Sequence, residues 1–228
     1  MDLDFFLEFI FPNRCAGCGA LIGQGPALCA KCASALQTFD SLFCGRCMAR
    51  LPEGKKICHS GSPFILGAAI NYHLGAAGNL IRELKFKRNK KIAKFLADLL
   101  ASYLKKLPLA FADYEILAVP LSATRQRERG FNQAELIAEE LSPLVSVPIL
   151  QGGLTRTKHS TPQSEIRGRK DRLRNVAGAF SADTELVSGK NIILLDDVIT
   201  SGATMFEAAR ALKSAGAERI IGLAAAKA

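Results

Sequence analysis

Seven cysteines crowd between positions 15 and 58 of this 228-residue chain, and the 170 residues that follow contain none. They fall as Cys15-x-x-Cys18, Cys29-x-x-Cys32, Cys44-x-x-Cys47 and a final Cys58. Two thiolates three positions apart on a tight turn grip one tetrahedral ion together, which is how zinc knuckles are built. An odd count is poor material for a disulfide framework. A segment this short buries too little apolar surface to hold its own fold and needs a staple. The array therefore predicts bound zinc, one ion or two.

The array also repeats. Displaced by 29 positions, Cys15, Cys18 and Cys29 fall on Cys44, Cys47 and Cys58, while Cys32 falls on Gly61. The first unit can fill a four-thiolate site from Cys15, Cys18, Cys29 and Cys32. The second offers three thiolates, and the adjacent His59 is the nearest candidate for the fourth ligand. Interleaved ligands, or one ion with spare thiols, are the alternatives. A closed four-ligand site leaves no open coordination position, so the metal is expected to be structural.

Ahead of the cysteines, Leu3, Phe5, Phe6, Leu7, Phe9, Ile10 and Phe11 predict a short apolar helix ended by Pro12, packed on the protein's own body. The acidic start, Met1-Asp2-Leu3-Asp4, is unlike a secretory signal, and no apolar run approaches the roughly 18 residues of a membrane span. A cytoplasmic location is the expectation. Lys and Arg outnumber Asp and Glu by 30 to 21, for a formal charge of +9, which favours anionic partners.

From Ser62-Pro63 onward the texture becomes alternating helix and strand, which divides the chain into a cysteine-rich segment, 1–62, and an α/β domain, 63–228. Helical periodicity runs over Leu74–Phe86, Ile92–Leu107, Gln133–Leu144 and Ala203–Ala215. Apolar strands read at Tyr114–Val119, Asn191–Leu195 and Arg219–Ala225. This alternation implies a parallel sheet covered by helices on both faces, with ligands at the carboxyl ends of its strands.

One such end carries the strongest chemical signal. The strand Ile192-Ile193-Leu194-Leu195 runs into Asp196-Asp197-Val198-Ile199, then Thr200-Ser201-Gly202-Ala203-Thr204 and a helix. The small hydroxyl and glycine residues at a helix start offer N–H and O–H donors to a phosphate. The paired carboxylates suit the vicinal hydroxyls of a sugar. Together they describe a cradle for ribose 5-phosphate.

These thirteen positions resemble the signature of type I phosphoribosyltransferases. The resemblance implies binding of 5-phosphoribosyl 1-diphosphate (PRPP), with Asp196 and Asp197 at the ribose hydroxyls and Thr200, Ser201, Gly202, Ala203 and Thr204 around the 5-phosphate. It also implies magnesium carried with the ligand rather than caged by protein. The stretch from Ser122 through Arg125, Arg127, Arg129 and Gly130 falls where those enzymes place their pyrophosphate loop. Its three arginines at alternate positions suit charge-assisted forks to a diphosphate.

The cysteine knuckles, the Leu84-Lys85-Phe86 step, the Arg129-Gly130-Phe131-Asn132-Gln133 run and the cradle together resemble the ComF family over nearly the whole chain. Leu154–Lys158 with Thr161, Gln163, Arg172, Asn175 and Phe180 fits that family's long mobile segment, expected to close over bound PRPP at 154–175. Gly61, where many relatives carry an eighth cysteine, departs from the pattern and bears on the second zinc. The resemblance implies a role in natural transformation, with single-stranded DNA as partner and a helicase-like competence protein nearby. Charge agrees: Lys85, Lys87, Arg88, Lys90 and Lys91 form one tract with Arg82, and Arg167, Arg169, Lys170, Arg172 and Arg174 another with Arg156 and Lys158. Cationic tracts follow a phosphate backbone. With no Trp, three Tyr and Phe86 the best-placed ring, binding by charge is expected to outweigh base stacking. The alternative reading is an active phosphoribosyltransferase that displaces pyrophosphate from PRPP, its acceptor unidentified. No base-recognition element is legible in the chain.

Overall fold

The computed structural model describes residues 13–23, 26–53, 58–157 and 176–228. The apolar helix expected before Pro12 and the cations Arg167, Arg169, Lys170, Arg172 and Arg174 lie outside the described residues, as does most of the segment expected to close over PRPP.

Five strands form the main sheet: β1 (Phe43–Cys44), β2 (Ile65–Asn71), β3 (Tyr114–Ala118), β6 (Asn191–Ile199) and β7 (Arg219–Lys227), in the order β1-β2-β7-β6-β3. Four run parallel, and β1 joins the edge antiparallel, pairing Phe43 with Leu66 and Cys44 with Ile65. A cysteine of the N-terminal array thus sits in the edge strand of the α/β body. Strands β4 (Leu154–Arg156) and β5 (Phe180–Ala182) make a separate antiparallel pair.

The helices are α1 (Ala30–Ser34), α2 (Ala77–Lys87), α3 (Lys90–Lys106), α4 (Ala123–Arg129), α5 (Gln133–Val145), α6 (Thr184–Val187) and α7 (Ala203–Ser214). Successive side chains of a strand point to opposite faces, so the unbroken apolar run of β6 serves two cores. Ile193 and Leu195 pack with Leu84 of α2, Leu96 of α3 and Ile137 of α5. Ile192 and Leu194 pack with Met205 and Leu212 of α7 and with Leu154 and Phe180 of the small hairpin. The parallel sheet with helices on both faces is the architecture expected from the alternating pattern.

Three boundaries differ from the sequence reading. The α2 helix begins at Ala77 rather than Leu74, after Gly75 turns the chain with φ +63° against the Ala35 carbonyl. Strand β6 continues through both carboxylates to Ile199, because β7 extends alongside it and supplies partners from Ala224 to Lys227. Residues 123–129 are helical rather than a loop: the Ser122 hydroxyl accepts from the Arg125 N–H as an N-cap, and Gly130, at φ +70°, ends the turn.

Candidate functional site

The carboxylates open to solvent because their neighbouring strands differ in length. The β3 ladder stops at Ala118, opposite Leu195, while β7 continues beneath Asp196 and beyond. The gap beyond β3 is a cavity of about 360 Å³ whose floor is Asp196 and Asp197. Ser122, Arg125 and Arg129 line one wall, Thr200 and Thr204 another, and Lys85, Tyr72 and Arg156 the rim.

Asp197 is buried, at 7% exposure, and pairs with the Lys85 ammonium at 3.2 Å. The Asp197 backbone N–H donates to the Asp196 carboxylate at 2.8 Å. Asp196 is only partly exposed, and desolvation together with the adjacent Asp197 charge pushes its carboxyl up to about 7, against the pull of Lys85 and Arg156. Burial lowers the pKa of Arg129 from its ordinary value, and the facing Asp197 restrains the shift. The cavity thus has acids on its floor and cations around its wall. Such a pocket favours a ligand that brings hydroxyls to the acids and anionic oxygens to the cations.

The structure divides the residues expected around this ligand. Arg125 and Arg129 stand one helical turn apart and reach the cavity together. Arg127, between them on the same helix, is exposed and off the cavity, because alternate positions share a face in a strand and not in a helix. Thr200 and Thr204 face the cavity, but Ser201 and Gly202 line a neighbouring pocket with Cys47 and His59, and Ala203 is buried at 1% exposure. Lys85 leaves the cationic tract: it is half-buried against Asp197, whereas Lys87, Arg88, Lys90 and Lys91 are exposed. Lys87 pairs with Glu83 at 2.8 Å, and Arg88 lies 5.9 Å from the centre of the Phe131 ring. Phe86 is 73% exposed beside them.

Besides Lys85, both Arg156 and Tyr72 line the cavity without having been singled out for it by sequence reasoning. Arg156 reaches the rim from β4 and stacks 5.4 Å over the Phe180 ring. Nothing in its local sequence marks it, since it joins the cavity only through pairing of β4 with a strand beyond residue 175. Tyr72, just past β2, is the other; the strand itself went unread, its run of Leu66-Gly67-Ala68-Ala69-Ile70 being too rich in small residues to announce one.

The cysteines gather as two separate tetrads. Cys15, Cys18, Cys29 and Cys32 form one, and Cys44, Cys47, Cys58 and His59 the other, each with its ligand atoms within 4.8 Å of one another. A tetrahedral ion with Zn–S bonds near 2.3 Å sets its sulfurs roughly 3.8 Å apart. Cys18 and Cys29 stand at 3.9 Å, and Cys47 and Cys58 at 3.9 Å. His59 Nδ1 lies 3.4 Å from Cys44 Sγ. The vacancy at Gly61 is therefore made good by the residue next to Cys58, and neither interleaved ligands nor a lone ion with spare thiols describes the arrangement. Burial opposes ionisation of Cys15, but the N–H groups of Cys29, Cys18 and Gly17 outweigh it and hold the thiol at about 6. Cys44 is held at about 6, with burial again opposed, by the Cys47 N–H, His59 and the Arg46 N–H. Each tetrad has one sulfur prepared as a thiolate, and the donor sets fit structural zinc with no open position.

Among the described residues no helix is long and apolar enough to cross a membrane. Residues 6–61 match the double zinc ribbon domain and residues 127–227 the phosphoribosyl transferase domain. Competence protein F of Haemophilus influenzae is 33% identical over 220 residues, covering 90% of this chain and 86% of that protein. The DNA utilization protein YhgH of Salmonella typhimurium is 29% identical over 210 residues, covering 90% of this chain and 86% of that protein. The competence protein ComFC of Streptococcus pneumoniae is 26% identical over 198 residues, covering 85% and 84%. With two cysteine-rich tetrads ahead of a phosphoribosyltransferase-like sheet, and such identity along most of its length, the chain belongs to the ComF family of competence protein F homologues.

Proposed function

We propose that the protein is a DNA-uptake factor that binds PRPP with magnesium in the β3–β6 cavity and single-stranded DNA on the exposed cationic corner of α2 and α3. The single observation that carries the reading is the cavity's division into acids on the floor and cations on the wall. PRPP matches both parts: its ribose hydroxyls donate to Asp196 and Asp197, and its diphosphate accepts from Arg125 and Arg129. Thr200 and Thr204 serve the 5-phosphate. Magnesium arrives with the ligand, since Asp197 is already engaged by Lys85 and a hydrated hard cation needs no all-protein cage.

Lys87, Arg88, Lys90 and Lys91, exposed around Phe86, provide the charge that a phosphate backbone follows, with one ring for a base to stack on. Any helicase-like partner belongs to the same uptake reading.

The test is a fluorescence-anisotropy titration of a labelled single-stranded oligonucleotide at two salt concentrations, with and without Mg–PRPP, using zinc-replete protein. Salt-sensitive binding that PRPP alters supports the reading, and no binding at either salt removes the DNA part. In parallel, Asp197→Asn should weaken PRPP binding with the fold intact; unchanged affinity removes the cavity assignment. Pyrophosphate release in the presence of an acceptor would turn the reading towards a transferase.

A further inference from the structure

Met48, the residue after Cys47, has φ +64°, in the left-handed region that side chains avoid. Such a conformation persists only where its surroundings impose it. Here the knuckle does so: the Met48 N–H donates to the Cys44 carbonyl at 2.9 Å, and the Cys44 N–H to the Ala49 carbonyl at 2.8 Å. The knuckle keeps that shape because Cys44 and Cys47 share a tetrad with Cys58 and His59. The strained backbone sets the Met48 side chain on Gly202, where a Cβ would meet its Cε at 2.5 Å. Gly202 is the N-cap of α7 and the centre of the Thr200–Thr204 loop. A cavity of about 380 Å³ runs along this contact, lined by Cys47, His59, Ser201, Gly202 and Phe206. Cys58 is exposed and Cys47 partly so, with their sulfurs 3.9 Å apart, whereas Cys44 is buried. A small oxidant therefore reaches this pair from solvent, at the one knuckle that touches the loop.

We infer that Cys47 and Cys58 are an oxidation site that governs the loop: a hydroperoxide joins them as a disulfide, the tetrad comes apart, and Met48 no longer holds Gly202. The inference rests on the reading of Thr200–Thr204 as the 5-phosphate loop and adds a control over it. In the step, one thiolate sulfur attacks the peroxide, the O–O bond breaks, and a sulfenic acid and hydroxide form. The second thiolate attacks the sulfenic sulfur, the S–O bond breaks, the S–S bond forms and a second hydroxide leaves. Two electrons pass from the sulfurs to the peroxide, and two protons from solvent turn the hydroxides into water. Cys44 and His59 then remain as two ligands where a closed zinc site needs four.

The test treats reduced, zinc-replete, full-length protein with hydrogen peroxide. It follows zinc release, disulfides by peptide mass mapping, amide hydrogen exchange over Thr200–Thr204, and ribose 5-phosphate affinity by calorimetry. Wild type should release zinc, gain a Cys47–Cys58 bridge, exchange faster over the loop and bind ribose 5-phosphate about tenfold more weakly. Thiol reductant with added zinc should reverse all four changes. Met48→Gly accepts the left-handed backbone but lacks the side chain that holds the loop. It should bind about fivefold more weakly from the start and lose less than about twofold on oxidation, since the link is already cut. Met48→Leu keeps the volume and should respond as wild type does. No Cys47–Cys58 bridge, or a bridge that leaves loop exchange and affinity unchanged, overturns the inference. So does an equal oxidative loss in Met48→Gly, or a loss that accompanies a Cys18–Cys29 bridge instead. Reduced wild type that binds no ribose 5-phosphate, with a loop that still loosens on oxidation, supports the switch and defeats the phosphoribosyl reading.

Discussion

The two metal tetrads share a spacing but lean on different parts of the body. The first rests against the start of α2: the Gly17 carbonyl accepts from the Asn79 side chain at 2.8 Å, and a Cβ on Gly17 would meet Ala76 Cβ at 2.7 Å. The second rests against the loop expected to hold the 5-phosphate: Met48 lies so close to Gly202 that a Cβ there would meet its Sδ at 2.9 Å. Gly45, in the same knuckle, is pressed onto Phe64, whose ring also abuts Gly222 of β7. One tetrad therefore props a helix whose far end carries Lys85, and the other props the loop directly. A duplicated unit has been put to two uses through its neighbours, with ligand chemistry only slightly changed.

The largest effect should come from emptying the second tetrad. Cys44→Ser removes the buried sulfur that its neighbours prepare as a thiolate. Elemental analysis should find one zinc equivalent fewer, and calorimetry at least about a tenfold loss of ribose 5-phosphate affinity. Cys18→Ser, in the first tetrad, should also cost one zinc but leave that affinity within about threefold. Equal losses from the two variants would break the comparison.

Next in size is Lys85→Met. The ion pair is largely buried, and removing the cation leaves Asp197 beside Asp196 with less compensation. Breaking such a pair costs several kcal/mol when fully buried; here, with Lys85 partly exposed, about 2 kcal/mol is expected in urea denaturation. A loss near zero would mean that α2 is fixed by its apolar contacts and the first tetrad alone.

Gly202→Ala tests the contact at the other tetrad. Gly202 has φ +75°, where a non-glycine residue pays about 1–2 kcal/mol, and its new methyl must also displace Met48. The displaced atoms are the end of a flexible side chain, so combining Gly202→Ala with Met48→Ala should recover the contact part of the loss and leave the backbone part. Additive losses in denaturation midpoints would show that Met48 does not brace the loop.

What the sequence disclosed and what it hid follow from the range of the interactions. The cysteine spacing, the apolar β6 run and the Asp196-Asp197 pair are local patterns, and each was legible in a window of a few residues. The geometry adds His59 to the second tetrad because the fourth ligand needs only the turn after Cys58, a choice that spacing left open. Arg127 is grouped with its neighbours by the alternate spacing of a segment expected to be a loop; the cap at Ser122 makes the segment helical and turns Arg127 away. Arg156 and Tyr72 depend on which strands and helices meet at the cavity, a tertiary matter. The same holds for Lys85, which the sequence sets among basic neighbours and α2 aims at Asp197.

The smallest effect expected is a pH dependence that separates the cavity from both tetrads. Asp196 has a folded-state pKa of about 7, raised first by desolvation and then by Asp197, against 3.8 for the ordinary group. A raised carboxylate pKa means that the folded state holds the proton more tightly than the unfolded one. Its contribution to stability is therefore full below about pH 3.8 and lost as pH rises through 7. Asp196→Asn has no such proton to lose, so its melting temperature relative to wild type should climb between pH 5 and pH 8, by about 2–4 °C for each kcal/mol of that contribution at this chain length. A constant offset across that range would mean that the carboxyl titrates normally. The same variant should bind ribose 5-phosphate more weakly at pH 8, where the wild-type carboxylate accepts from hydroxyls and an amide does so less well. Stability gained and affinity lost in one substitution would identify Asp196 as a group held in an unfavourable place for its ligand, a cost borne by the sheet and unrelated to the metal sites.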